Sequence, residues 1–278
     1  MFAPYAIATW EAATIIAIIS GLVGFFVVLR QSTFVAHALP TGAFAGAGAA
    51  ALVGVSSLIG LGVFSLLSAF LMTALRRRST KDTATALAMV FLLGLGALFL
   101  SQSGAYASSV YGLLFGQLLG VSRSEIPIIA AVAVIIVVVT LAIYRPLLRS
   151  SILPELTGAQ AISEPVLETV FLILVAAVTA VALPIVGALL VFSLLTAPPA
   201  AARALTSRPH LATVLSSVIA LGIVWISIAL GFTTNLPVGF FVGSFGALVF
   251  VASRFIGPTR LRPARLLARH TRLDRTPT

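Results

Sequence analysis

The sequence contains no cysteine, and only 9% of its 278 residues are charged. The absence of cysteine excludes disulfide bonds, thiolate metal sites and thiol catalysis. Soluble globular domains carry about 25% charged residues, because much of their surface must face water. A chain in which 60% of the residues are hydrophobic cannot hide that apolar surface in a water-soluble fold of this length. The composition therefore predicts an integral membrane protein.

Acidic residues are also few, with seven Asp and Glu against 17 Lys and Arg, which gives a net charge of +10. In a soluble protein this excess would suggest a nucleic-acid partner. In a membrane protein, Lys and Arg gather in cytoplasmic loops, so topology explains the excess without nucleic acid. The single lysine, Lys81, follows a threonine, and the sequence has no G-x-x-x-x-G-K-[ST] motif. The chain therefore lacks the loop that cradles nucleotide phosphates in P-loop ATPases.

Long apolar segments dominate the sequence, and crossing the hydrocarbon of a bilayer takes about 20 helical residues. Segments of that order lie at 8–29, 38–55, 57–75, 83–101, 126–144, 166–183, 185–203, 211–232 and 238–255. Pro184 predicts a turn between the two spans that flank it. The shorter segment 110–121 predicts a helix that does not span and is buried against protein. We expect an all-α polytopic membrane protein with eight or nine transmembrane helices.

The basic residues predict the orientation of these spans. If Arg30 is cytoplasmic and the nine spans alternate, only Arg123 of the 17 basic residues falls outside. This asymmetry is what the positive-inside rule requires, and it places the N-terminus outside and the C-terminus inside. We expect residues 1–256 to form the transmembrane domain. Residues 257–278 are predicted to be a flexible basic cytoplasmic tail that can lie on anionic lipid.

Six motifs follow one another over roughly residues 15–256: VVLRQSTFVAHAL, RRRSTKDTATALAMVFLLGLGALFLS, YGLLFGQLLGVSRSEI, ILPELTGAQAISEPVLETVFLILVA, IVGALLVFSLLTAPPAAARAL and NLPVGFFVGSFGALVFVASRF. Their order and spacing resemble the bacterial ABC-3 permease family, the membrane subunits of ABC transporters for zinc and manganese. The resemblance implies a dimer of two copies with a path for a divalent transition metal, zinc or manganese and possibly also iron. It implies a separate ATPase subunit, an extracellular solute-binding protein that delivers the metal, and a place in the bacterial plasma membrane. No cofactor and no enzymatic activity of the chain itself are expected.

The polar cytoplasmic stretch RSSILPELTGAQAISEP, residues 149–165, is the candidate contact with the ATPase. A proline and a glutamate in its first part favour the start of a short helix. The stretch is similar to the coupling-helix pattern of the family, P-E-[LF]-A-x-A-x-G. The matching residues are Pro154, Glu155, Leu156 and Ala159, whereas Thr157 replaces an alanine and Ala161 replaces the glycine.

The segment HALPT provides the candidate metal contacts. Family members commonly read D-A-L-x-H here, so the resemblance places His37 at the aspartate position and Thr41 at the histidine position. A neutral imidazole is a ligand for transition metals, whereas a threonine hydroxyl is a weak one. Glu11, near the end of a span, is a further candidate for the path. Pro198 and Pro199 are others, because prolines bend a helix and can expose its carbonyls to a cavity.

Three alternatives have a different chemistry. A permease for a metal chelate or another small solute would explain the loss of the aspartate–histidine pair. A secondary transporter working alone is disfavoured, because the spans offer few ionisable groups for a proton relay. A membrane enzyme is disfavoured as well, because the apolar segments hold no Ser/His/Asp or paired-carboxylate constellation.

Overall fold

The computed structural model describes residues 4–76, 79–102, 122–152, 162–234 and 236–256. All regular secondary structure in these ranges is helical, which confirms the predicted all-α class. The helices are α1 (Pro4–Leu29), α2 (Thr33–Val53), α3 (Ser57–Arg76), α4 (Lys81–Gln102), α5 (Ile126–Ala142), α6 (Tyr144–Ile152), α7 (Glu164–Val186), α8 (Ala188–Leu205), α9 (Pro209–Thr234) and α10 (Val238–Ile256).

Eight of these helices have the length and apolarity needed to cross a membrane. Helices α5 and α6 are bent by 57° relative to each other and add a ninth span if the pair counts as one broken crossing. Many of the exposed side chains are large and apolar, as expected for helices that face lipid. On α5, for example, five large side chains are more than half exposed: Ile128, Val134, Ile135, Val138 and Leu141. The predicted polytopic membrane fold is thus confirmed, while segment 110–121 lies outside the described residues.

Two of the boundaries that differ from the sequence-based expectation have a clear local cause. Helix α2 begins at Thr33, because the carbonyl of Ser32 accepts hydrogen bonds from the N–H groups of Val35 and Ala36. The apolar segment used for the prediction started later, since polar side chains interrupt this first part of the helix. The turn predicted at Pro184 falls at Gly187, whose φ of 86° is accessible to glycine because it has no Cβ.

Helices α1, α7 and α8 occupy the centre of the bundle. Helix α1 contacts α5, α7, α8 and α9, whereas α2 packs mainly on α3 and α4. Phe26 of α1 is fully buried, and its ring lies edge-on to Phe25 and to Tyr144, each at a centroid distance of 5.2 Å. Interlocking aromatic and small side chains therefore fix the position of the cytoplasmic half of α1.

The backbones of α2 and α3 approach each other closely at two glycines. A Cβ on Gly60 would meet the carbonyl oxygen of Gly46, and it would lie 2.7 Å from the Cβ of Ala50. On the other side of α2, Gly96 of α4 leaves room for the backbone of Ala45. Small residues are the main means of helix association in lipid, where burial of apolar surface gives little drive. These glycines therefore set the distance between the helices.

Charged residues at four helix ends meet at one end of the bundle. Arg30 follows α1, Arg76 ends α3, Lys81 begins α4 and Glu164 begins α7, and all belong to one set of ion pairs. The helix ends that border residues 103–121 consequently lie at the opposite end. A connection between them requires no further crossing, in agreement with the predicted orientation. In that orientation the charged end is cytoplasmic.

Candidate functional site

His37 lies in the second turn of α2 and is half-buried. Its ring is edge-on to Phe192 of α8, with the centroids 5.2 Å apart and the planes at 72°. Its sequence neighbours Val35, Ala36, Ala38 and Leu39 are buried. The imidazole is therefore held between α2 and α8 against an aromatic ring, inside a helix rather than at its boundary.

Thr41 lies one turn further along α2 and is also half-buried. Its hydroxyl donates to the carbonyl oxygen of His37 at 3.0 Å. The proton of the hydroxyl is thus used within the helix, as is usual for threonine at this spacing. The oxygen keeps lone pairs that can accept from the hydration shell of an ion, but it remains a weak metal ligand.

The other predicted path residues lie apart from this pair. Glu11 is exposed near the opposite end of α1, beside Trp10, whose ring lies edge-on to that of Trp225 at 5.9 Å. Tryptophans gather at membrane–water interfaces, which places this carboxylate near the external surface. Pro198 and Pro199 are buried within α8, which continues as a helix through both of them.

Pro199 can be buried against α1 because residue 24 of that helix is a glycine. A Cβ on Gly24 of α1 would lie 2.8 Å from the Cγ of Pro199 and 2.7 Å from the carbonyl oxygen of Leu195. The proline thus packs on the backbone of α1 in this conformation. A role of either proline in the path stays a prediction.

A multidentate metal centre is absent from the part of the chain that the structure describes. No three side chains of His, Asp or Glu in it lie close enough to share an ion. Tight zinc sites in proteins use three or four such ligands. The predicted pair of His37 and Thr41 therefore supplies one imidazole and one hydroxyl, and not a site of this kind.

The predicted ATPase contact lies outside the described residues, since Pro154, Glu155, Leu156, Ala159 and Ala161 all fall within 153–161. The helices that border this segment are described. Helix α6 ends two residues after Ser150, and α7 begins with Glu164.

A cluster of charged side chains next to this segment was not predicted from the sequence. Arg30 is its centre, and 6% of its side chain is exposed. Nη1 of Arg30 donates to Oγ of Ser150 at 2.7 Å, while Nη2 donates to Oε1 of Glu164 at 2.7 Å and to Oε2 of Glu168 at 3.5 Å. The guanidinium also lies 5.4 Å from the ring centroid of Phe171. A hydroxyl, two carboxylates and an aromatic face thus surround one arginine.

Glu168 connects this arginine to two more helices. Its carboxylate accepts from Nη1 of Arg76 and, at 2.9 Å, from Nζ of Lys81. Arg76 also donates to the hydroxyl of Thr85 on α4 at 3.2 Å. We define the charge cluster as Arg30, Arg76, Lys81, Glu164 and Glu168. It joins the cytoplasmic ends of α1, α3, α4 and α7.

Only a part of the charge cluster could have been found from the sequence. Glu164 and Glu168 are four residues apart at a helix start, so they share a helix face and stabilise the positive end of the helix. Their partners Arg30 and Arg76 are separated from Glu168 by 138 and 92 residues. No local pattern links positions so far apart, and only the packing of the bundle brings them together.

Known proteins resemble this chain along most of its length. The model of the ABC 3 transport family matches residues 3–257. The manganese import system permease protein ScaB of Streptococcus parasanguinis is 26% identical over 260 residues, which are 93% of this chain and 92% of that protein. The manganese transport system membrane protein MntC of Halalkalibacterium halodurans is 27% identical over 199 residues, 71% and 68% of the two chains.

The fold is also present among solved structures. PsaBC from Streptococcus pneumoniae in complex with Fab contains a chain that superimposes on this one with a TM-score of 0.84. The sequence identity is 24%, and 96% of each chain is covered. The arrangement of helices described above is therefore a shared one.

Proposed function

The chain belongs to the ABC 3 transport family, and on that basis we propose that it is the permease subunit of an ATP-driven importer of divalent manganese. It is a multi-pass protein of the bacterial plasma membrane, with eight or nine apolar helices. The observation that carries the proposal is the match over 93% of the chain to a relative named as a manganese import permease. The apolar bundle with few polar groups agrees with a passive path.

Manganese is the proposed solute, with zinc and iron as competitors. Mn²⁺ is the weakest binder among the first-row divalent ions and prefers oxygen ligands and water, whereas imidazole suits zinc and iron well. His37 and Thr41 offer one nitrogen and one hydroxyl in each chain. An ion that keeps much of its hydration shell passes such a path without being trapped, as transport requires.

The proposed partners follow from what the chain lacks. ATP hydrolysis must come from a separate ATPase subunit, because the sequence has no P-loop. We place its contact at Pro154, Glu155, Leu156, Ala159 and Ala161, beside the charged end of the bundle.

A solute-binding protein delivers the ion outside, near Glu11, and a second copy of the chain completes the path with its own His37. We also propose, from the sequence alone, that residues 257–278 are a basic cytoplasmic tail and that residues 1–256 are the transmembrane domain.

A metal chelate is the second candidate solute, and the small number of ligands favours it. A chelated ion carries its own donor atoms and needs none from the path. Metal accumulation in cells with and without this subunit distinguishes the two candidates. Mn, Zn and Fe are each supplied either as the free ion or together with a chelator, and the amount taken up is measured. The proposal predicts that loss of the subunit lowers Mn accumulation from the free ion. Loss of uptake from the chelate alone would favour the second candidate.

The variant His37→Ala tests whether His37 contacts the transported ion. Losing one hydrogen-bond or ligand contact to a charged solute costs about 1.5 to 3 kcal/mol of interaction free energy, so we expect Mn uptake to fall by roughly 10- to 150-fold. His210→Ala is the matched control, because this exposed histidine stacks on Tyr144 at the cytoplasmic end. Uptake of radioactive Mn, normalised to the amount of assembled transporter, is the measurement. Equal uptake by His37→Ala and wild type would remove His37 from the path.

A further inference from the structure

The charge cluster holds both borders of segment 153–161 with one side chain. Through Nη1, Arg30 binds Ser150, near the end of α6, and through Nη2 it binds Glu164, the first residue of α7. The planar guanidinium fixes the direction of both hydrogen bonds, which a lysine ammonium cannot do. A displacement of either border therefore acts on Arg30.

Arg30 in turn belongs to the short turn that leads into α2. Its N–H donates to the carbonyl of Phe26, and the N–H of Ser32 donates to Val27, so the turn is closed by backbone hydrogen bonds. Gln31 has a φ of 55°, a left-handed conformation in which residues other than glycine are uncommon. Two residues, Gln31 and Ser32, therefore separate Arg30 from the first residue of α2. Helix α2, which it leads into, carries His37.

The two carboxylates of the charge cluster differ in how firmly they are held. Glu168 is 13% exposed and accepts from three cations, so it connects α3, α4 and α7 at one point. The side chain of Glu164 is 37% exposed, and within the described residues it forms one ion pair, with Arg30, while its buried Oε2 accepts no hydrogen bond. Fewer contacts thus hold Glu164 than hold Glu168, and the Arg30–Glu164 pair is the one that we expect to rearrange.

We propose that the charge cluster transmits movement from the cytoplasmic segment bordered by Ser150 and Glu164 to helix α2, with Arg30 and Glu164 as positioning residues. This inference rests on the proposed function, because it requires an ATPase that acts at that segment. The ATPase moves α6 and the start of α7, the Arg30–Glu164 contact rearranges, and the turn before α2 follows. The effect on the ion is indirect, since neither residue contacts the path at His37.

Glu164→Gln is the deciding variant, because it keeps the size of a partly exposed side chain and removes its charge. Arg30→Lys is the second variant, since it keeps the positive charge but loses the planar guanidinium that donates to Ser150 and Glu164 at the same time. The matched controls are Glu125→Gln, at the opposite end of the bundle, and Arg208→Lys, in an exposed loop at the same end. Each is assembled with the ATPase subunit and the binding protein in vesicles of phosphatidylethanolamine and phosphatidylglycerol.

Mn²⁺ uptake and ATP hydrolysis are measured in the same vesicles, and the ratio of the two is the readout. We expect Glu164→Gln and Arg30→Lys to lower the Mn²⁺ transported per ATP by roughly 3- to 30-fold. The controls are expected to keep the wild-type ratio. A purely structural role would lower uptake and hydrolysis in proportion and leave the ratio unchanged.

An unchanged ratio in Glu164→Gln, with a wild type that transports Mn²⁺, would overturn this inference alone. A wild-type complex that hydrolyses ATP without any uptake of Mn²⁺ would overturn the proposed function, and the inference with it. The two failures are therefore distinguished by the wild-type sample.

Discussion

Gly60→Ala is expected to disrupt the packing of α2 on α3. The added methyl group would meet the carbonyl oxygen of Gly46 and the Cβ of Ala50, so that the two backbones must move apart. Overpacking against a side chain destabilises by about 1 to 3 kcal/mol, and a backbone atom cannot turn aside as a side chain does. We expect the free energy of unfolding to fall by an amount at the upper end of this range. The measurement is the midpoint of thermal unfolding of the detergent-solubilised chain, which should fall.

Gly62→Ala is the matched control, because it lies on the same helix two residues away. A Cβ on Gly62 meets nothing within 4 Å, and alanine is the better helix former by about 1 kcal/mol. This variant should be as stable as the wild type or more stable. Equal unfolding midpoints for the two variants would show that the glycine contact does not set the distance between α2 and α3.

Glu168→Gln is expected to have the second large effect. The carboxylate accepts from Arg30, Arg76 and Lys81, and two of these cations are as buried as the carboxylate itself. Removing one partner of a buried ion pair is destabilising by about 3 to 5 kcal/mol, because the remaining charges stay buried without compensation. We expect the midpoint of thermal unfolding to fall by on the order of 10 °C.

Asp82→Asn provides the comparison, since Asp82 is an exposed carboxylate at the start of α4, close to the charge cluster. Exposed ion pairs contribute about 0 to 1 kcal/mol, so this change should move the midpoint little. The same large shift in both variants would indicate that loss of any acidic residue at this end destabilises the bundle. In that case the geometry of the Glu168 contacts would not be the cause.

The helices could be predicted from the sequence because lipid imposes a simple length rule. Each span needs about 20 apolar residues, and the positions of Arg30, Arg145 and Arg203 mark the side on which the connections lie. The prediction was less accurate where polar residues enter a helix, as at Thr33, or where glycine rather than proline makes the turn, as at Gly187. Apolarity marks the part of a helix in hydrocarbon, and the helix itself continues beyond it.

The candidate site could be predicted only in part. The motif around His37 marks this residue as a candidate, and its role in the path stays a prediction. Its neighbour Phe192 on α8 could not be foreseen, because side-chain contacts across a bundle depend on packing. The charge cluster was missed for the same reason. The sequence places Glu168 near a helix start, where an acidic residue is favourable without any partner, whereas its role as the common partner of three cations follows only from the meeting of four helix ends.

We propose that this chain is a passive path and that the energy for transport comes from a separate ATPase. The direct test is uptake of radioactive Mn²⁺ into vesicles that contain either the purified chain alone or the chain with its ATPase subunit and binding protein. We expect ATP-dependent uptake from the complete complex and none from the chain alone. Uptake by the chain alone at the rate of the complete complex, without ATP, would show that the chain transports Mn²⁺ without a separate ATPase.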